Sequence, residues 1–236
     1  MTHPLEWSYF KQWFTELCKL RLFWAKPYLK LEELEVGGSW WLVRAEWAKA
    51  KRARGALMAA AKSSSALNEC LEALRGHLDG GYEALLIAPE CLELELRRLK
   101  VDALSMAYFW DLDSLTLLEP SYEVEVEALE AWGPRMLEEV ASVHRRSWGF
   151  TVEPRPGDHV VLLARLHGDP VGAAFLNLRS GNIDYGVHVV REHWRRRVGT
   201  RLLHEACRQA AEVGLSRLSV VRWLRSVRLS SSDRRG

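Results

Sequence analysis

The stretch 159–226 admits few folds. Three apolar-rich runs, 159–166, 171–178 and 183–190, are separated only by His167-Gly168-Asp169-Pro170 and Arg179-Ser180-Gly181-Asn182. Connections this short pair strands antiparallel, so the runs form a three-stranded meander. An Arg-rich loop at 191–197 then feeds a helix expected over 198–213, which Gly214 stops, and a last strand is expected at 218–224. A strand that returns through a helix lies parallel to the strand it left. The sheet must therefore be mixed, mainly antiparallel with one parallel pair. Upstream, 124–129 alternates apolar and acidic residues as a strand does. Gly133-Pro134 opens a helix through about 146, with proline in a tolerated first-turn position. Pro154, Pro156 and Gly157 make 151–158 a loop.

The first half has a looser pattern. Trp7, Phe10, Trp13, Phe14, Leu17, Leu20 and Trp24 recur at helical spacing, and an aromatic stripe of this kind is expected to pack on its own domain. Gly37-Gly38 breaks the chain before a strand at 39–45. A helix is expected over 56–78, weakened at Ser63-Ser64-Ser65 and ended by Gly80-Gly81. A strand at 82–88, a helix at 91–99 and a strand at 103–112 follow. Residues 1–120 thus read as a helix-rich region, with a boundary at Glu119-Pro120-Ser121 before a second domain at 121–236.

The near-neutral net charge of +2 hides an asymmetry. Residues 1–190 carry a net −6 and residues 191–236 a net +8, and all 12 basic residues of the latter stretch are Arg. Arginine suits bidentate phosphate contacts better than lysine does. Cys18, Cys70, Cys91 and Cys207 lie far apart without a CxxC pair, which predicts free thiols, with no metal site and no disulfide framework. The start carries no secretory pattern and no apolar run approaches the ~20 residues of a spanning helix, so the expected location is cytoplasmic.

The charge is concentrated in Val187-His188-Val189-Val190-Arg191-Glu192-His193-Trp194-Arg195-Arg196-Arg197-Val198-Gly199-Thr200-Arg201-Leu202-Leu203. Here a strand delivers the chain to an Arg-rich turn and a helix begins at once. The first N–H groups of a helix lack internal partners and lie at the positive end of its dipole. Gly199 allows close backbone approach, so the physics describes a phosphate or pyrophosphate site.

This arrangement resembles the acyl-CoA pyrophosphate loop of the GCN5-related N-acetyltransferase (GNAT) superfamily, over about 122–226. The resemblance implies an α/β (α+β) fold with a mixed, mainly antiparallel twisted sheet flanked by helices. It implies acetyl-CoA as cosubstrate and an acetyl group transferred to a primary amine on a small molecule or protein. Val187 and Val189 would border the acetyl group and pantetheine, and Arg195, Arg196, Arg197, Val198, Gly199 and Thr200 would cradle the pyrophosphate.

Two departures stand out. Arg197 occupies the place of the first loop glycine, where a side chain would narrow the cradle, or else the loop is one residue short. Family members also continue past the strand at 218–224 into a helix, often with a thiolate-protonating Tyr, and further strands. Here Ser230-Ser231-Ser232-Asp233-Arg234-Arg235-Gly236 follows, so the unit reads as C-terminally incomplete. In the first half, Lys51-Arg52-Ala53-Arg54-Gly55-Ala56-Leu57 reads as a faded copy of the loop, suggesting a degenerate first unit.

Amine attack on a thioester needs a proton acceptor and a donor to the thioester oxygen. Asp184 and His188 share a strand face by period-two counting and are the candidate bases, while Tyr185 counts to the opposite face with Ile183 and Val187. Two other readings compete: a catalytically inactive scaffold of the same fold, and an Arg-rich nucleic-acid module with Trp194 and Trp223 interleaved. No motif of a known nucleic-acid fold accompanies the latter.

Overall fold

A computed structural model describes residues 7–18, 28–36, 39–47, 55–61, 63–77, 82–87 and 104–224. The chain forms two compact units, Cys18–Val101 and Met1–Leu17 with Asp102–Gly236. The division does not follow the expected boundary near 120, because segments from both sides of it belong to one sheet.

The helix α1 (Trp7–Cys18) lies, up to Leu17, in the other unit, and the Cys18–Val101 unit holds β1 (Tyr28–Val36), β2 (Trp40–Trp47), β3 (Gly55–Ala61), α2 (Ser64–His77) and β4 (Tyr82–Ile87). Its sheet order is β1-β2-β3-β4, antiparallel except for the β3–β4 pair, which is parallel. The expected helix over 56–78 is corrected here: Gly55–Ala61 is a strand and the helix starts at Ser64. The run Gly-Ala-Leu-Met-Ala-Ala-Ala has good helix formers but no polar face. Pairing on both edges buries it, and Leu57, Met58, Ala59 and Ala60 are at most 1% exposed. The serine run starts the helix: Ser63 Oγ accepts from the Ala66 N–H at 3.3 Å. Among the described residues this unit is a four-stranded sheet with one helix, where a helix-rich region is expected. Gly55, Ala56 and Leu57 lie in β3, so they open a strand rather than a phosphate-binding helix. The expected helix at 91–99 lies outside the described residues.

The other unit is built on β5 (Leu104–Asp111), β6 (Val124–Leu129), α3 (Pro134–Ser147), β7 (His159–Leu166), β8 (Asp169–Asn177), β9 (Asn182–Val189), α4 (Val198–Glu212) and β10 (Arg217–Leu224). Its sheet order is β5-β10-β9-β8-β7-β6. The β7–β9 strands pair antiparallel, as their short turns demand, β6 pairs antiparallel with β7, and β10 runs parallel to β9. The β5 strand closes the sheet, antiparallel to β10 from Leu224↔Leu104 to Arg217↔Asp111. A strand from before residue 120 thus pairs with the last described strand. Residues β7 through β10 with α4 repeat the strand order and directions of β1 through β4 with α2.

Alternation sorts the sheet into two faces. Val160, Leu162, Ala164, Ala174, Leu176 and Ile183 form a core with Val198, Leu202, Ala206 and Ala210 of α4. Phe175 points the other way and meets His144 of α3 edge-on, with ring centroids 5.4 Å apart. Beside it, Trp13 of α1 is 1% exposed and packs against Phe109 of β5 at 4.8 Å. Burying Phe10 and Trp13 contributes roughly 2–3 kcal/mol apiece. Tyr9 Oη donates to Ser180 O at 2.9 Å, so the described part of the aromatic stripe serves packing within its own unit.

Candidate functional site

The parallel pair is short. The β9 and β10 strands are in register only at Asn182↔Ser219 and Ile183↔Val220, after which no pairing joins them among the described residues. Gly181 makes the closed end possible: its φ is +68° and an added Cβ would lie 2.2 Å from Arg217 O. On its other edge β9 also leaves its ladder. Between Phe175↔Asp184 and Ala173↔His188, three β9 residues stand opposite Ala174 alone. Tyr185 and Gly186 carry this bulge with φ of 64° and 84°. The strand therefore bends at the point where it parts from β10, and Val187 to Val189 face a gap in the sheet.

The N-terminus of α4 stands over that gap. A Cβ on Gly199 would approach Val187 Cγ1 and Val189 Cγ2 at 3.8 Å, an ordinary contact. Arg195 and Arg197 have φ of 64° and 59°, and left-handed Arg197 is followed directly by helical Val198. Such an alternation turns successive N–H groups into one concavity, and Arg197 supplies no side-chain acceptor to cap them. The first amides of α4 and the exposed Arg195 and Arg196 side chains thus form a cradle of anion-binding type. Arg196 also lines a cavity of ≈ 400 Å³ with Ser121, Glu123 and His167.

Arg197 explains itself in this geometry. Its position requires a left-handed backbone, the reason glycine is the easy choice there. Its guanidinium is turned away to donate to Glu119 O at 2.9 Å. One and two turns on, Arg201 Nε donates to Val124 O at 3.3 Å and His204 Nε2 to Leu118 O at 2.9 Å. Arg197 and two α4 side chains therefore hold the segment entering β6, and the Arg197 guanidinium points away from the first amides of α4. Trp194 Nε1 donates to Val189 O at 2.8 Å, tying the loop to the end of β9.

Residues 115–229 match the model of the acetyltransferase (GNAT) family. They form a GNAT-family domain. The fold agrees: a GCN5-related N-acetyltransferase from Kribbella flavida aligns with a TM-score of 0.55 and 16% identity, covering 89% of this chain and 85% of that one. A GCN5-related N-acetyltransferase from Sphaerobacter thermophilus aligns at 15% identity and a TM-score of 0.48, over 83% of this chain and 75% of that one. No curated protein matches the chain in sequence.

Within the GNAT domain, Asp184 and His188 lie on the α3 face, as the counting expects, yet in unlike surroundings. Asp184 is 1% exposed and hydrogen-bonded on both oxygens. Its Oδ2 accepts from His159 Nε2 at 2.8 Å and Asn177 Nδ2 at 3.2 Å, and its Oδ1 from Asn182 Nδ2 at 2.5 Å. Arg155 adds charge at 3.7 Å while also reaching Glu16 of α1. This carboxylate ties α1, the loop after α3, and three strands together.

His188 is equally buried, but its Nε2 has no hydrogen-bond partner among the described residues. Its ring lies 4.1 Å from that of His144 and 4.1 Å from that of Trp148, centroid to centroid. Burial, reinforced by His144, lowers its pKa to about 3, and burial lowers that of His144 to about 4. Both rings are neutral at pH 7. Half-exposed Trp148 rests over Gly186, where an added Cβ would meet its Cη2 at 3.6 Å.

Tyr185 corrects the strand count. Its ring meets Phe175 edge-on at 6.1 Å, on the face of Asp184 and His188, because the bulge interrupts simple alternation. Sequence reasoning also missed His144, Ser147 and Trp148. They belong to a helix end whose proximity to β9 depends on tertiary packing, and only the helical spacing of His144 and Trp148 hinted at a shared face.

Proposed function

We propose that the protein transfers an acetyl group from acetyl-CoA to a primary amine. The observation that carries this reading is the parting of β9 from β10 directly beside the uncapped, left-handed arginine turn that opens α4. The residues fit the cosubstrate: exposed Arg195 and Arg196, with the first amides from Val198 to Thr200, suit a pyrophosphate, and Gly199 leaves the space of a side chain open. Val187 and Val189 line the gap, suited to pantetheine. Bound acetyl-CoA supplies the activated acyl group as a thioester.

The chain's own residues supply position and proton transfer. Backbone N–H groups of β9 around Val187–Val189 are placed to donate to the thioester oxygen as it gains charge. His188 receives the proton that the amine loses. A buried imidazole is a weak base, but the nitrogen's proton becomes acidic as the N–C bond forms, so a weak base suffices. Asp184, with both oxygens engaged by buried side chains, holds the framework rather than the reacting proton.

Calorimetric titration with acetyl-CoA and an assay of free CoA release with a panel of amines test the reading. Binding that is lost in Arg195→Glu/Arg196→Glu, with amine-dependent CoA release, supports it. Absence of binding at millimolar acetyl-CoA removes it in favour of an inactive scaffold.

A further inference from the structure

We infer that Ser147 is a positioning residue that fixes the tautomer of His188, so that Nδ1 carries the proton and Nε2 is held as a bare acceptor. Ser147 is 3% exposed at the last turn of α3, and its Oγ lies 3.1 Å from His144 O and 3.1 Å from His188 Nδ1. A hydroxyl has one proton to give. A serine within a helix ordinarily gives it to the carbonyl one turn back, and that carbonyl can only accept. The Oγ lone pairs then face His188, whose Nδ1–H donates to them.

The neighbouring histidine selects the same arrangement. His144 Nδ1 accepts from the Val152 N–H at 3.4 Å, so its proton sits on Nε2. His144 Nε2 and His188 Nε2 both lack partners among the described residues, in rings 4.1 Å apart. With the Ser147 lock, one presents a proton and the other a lone pair, so a single buried N–H goes without a partner. With the opposite His188 tautomer, two buried N–H groups would go without a partner among the described residues, the rarer and costlier outcome. The lock therefore leaves a lone pair, not a proton, at the position where a base must work. Its catalytic consequence rests on the acetyltransferase reading; the tautomer itself does not.

Nitrogen-15 NMR of the histidine rings in the intact protein at pH 7 decides the question. The expected result is a pyridine-type Nε2 and a protonated Nδ1 for His188, shifting toward a mixture in Ser147→Ala and restored in Ser147→Thr. A wild-type His188 protonated on Nε2 overturns the inference without any variant. In the acetylation assay, Ser147→Ala is expected to lower kcat about tenfold with the KM for acetyl-CoA unchanged, and Ser147→Thr to recover it. If no acetyl transfer occurs while the tautomer and its response are as expected, the function fails and the lock stands.

Discussion

His159 Nε2 donates to Asp184 Oδ2 at 2.8 Å, and the donor is defined because His159 Nδ1 accepts the Arg155 N–H at 2.8 Å. The pair belongs to a buried knot that continues from Asp184 through Asn182 to Ser219 of β10, 3.0 Å away. It therefore spans the closed end of the β9–β10 wedge. Removing the carboxylate leaves several buried donors without an anion to meet.

Asp184→Asn is expected to cost about 3 kcal/mol, since the new amide presents N–H to groups that are themselves donors. Urea unfolding measures the loss. In the folded protein the acetylation rate should change less than about tenfold, whereas His188→Ala should lower it by about a hundredfold or more. Equal losses of rate in the two variants would return the base role to Asp184.

Gly181→Ala tests the closed end. The position combines φ of +68° with an approach of 2.2 Å to a backbone oxygen, so neither the turn nor the opposing strand can yield cheaply. A loss of about 3 kcal/mol or more is expected in urea unfolding. Gly214→Ala is the control, because it shares the positive φ but meets nothing within 4 Å.

The two loop arginines should separate. Arg196→Glu places a negative charge in the cradle and is expected to weaken acetyl-CoA binding by at least about tenfold at low salt. Arg197→Gly removes a guanidinium engaged with Glu119 O and relaxes a left-handed residue, so affinity should stay within about threefold. Calorimetry with both variants checks the contrast.

Acid should destabilise the protein earlier than carboxylate titration alone predicts. His144 and His188 fall from 6.5 to about 4 and about 3 in the folded state. The unfolded chain therefore binds protons that the folded one refuses. Stability is full above pH 6.5 and is lost as pH drops toward 4, by on the order of 2–3 kcal/mol through His144. Urea midpoints across this range should fall less steeply in His144→Phe.

A fragment of residues 115–236 retains the family match but lacks β5, which leaves β10 as an open edge, and it loses the packed pair Trp13 and Phe109. It should aggregate at concentrations where the full chain remains monodisperse in size-exclusion chromatography. Recovery of a soluble, cooperatively unfolding fragment would show that β5 is dispensable.

Local pattern carried the sequence reading furthest between 124 and 224. Short turns, strand alternation and the helix after Arg197 are properties of neighbouring residues, and they sufficed for the meander, the crossover and the helix start beside the arginines. The reading failed where distant pairing outweighed local preference. Gly55–Ala61 has a helix former's composition, and only partners on both edges make it a strand. Nothing local to Leu104–Asp111 says that it will lie beside β10, more than 100 residues later.

The site divides along the same line. Sequence alone determined that arginines precede a helix start at the end of a strand, because adjacency along the chain dictates it. Tertiary structure decided what each group can do there. It turned Arg197 toward Glu119, engaged both oxygens of Asp184, and left His188 Nε2 bare. Those outcomes depend on which side chains from other elements occupy the same few ångströms, and spacing along the chain does not encode that proximity.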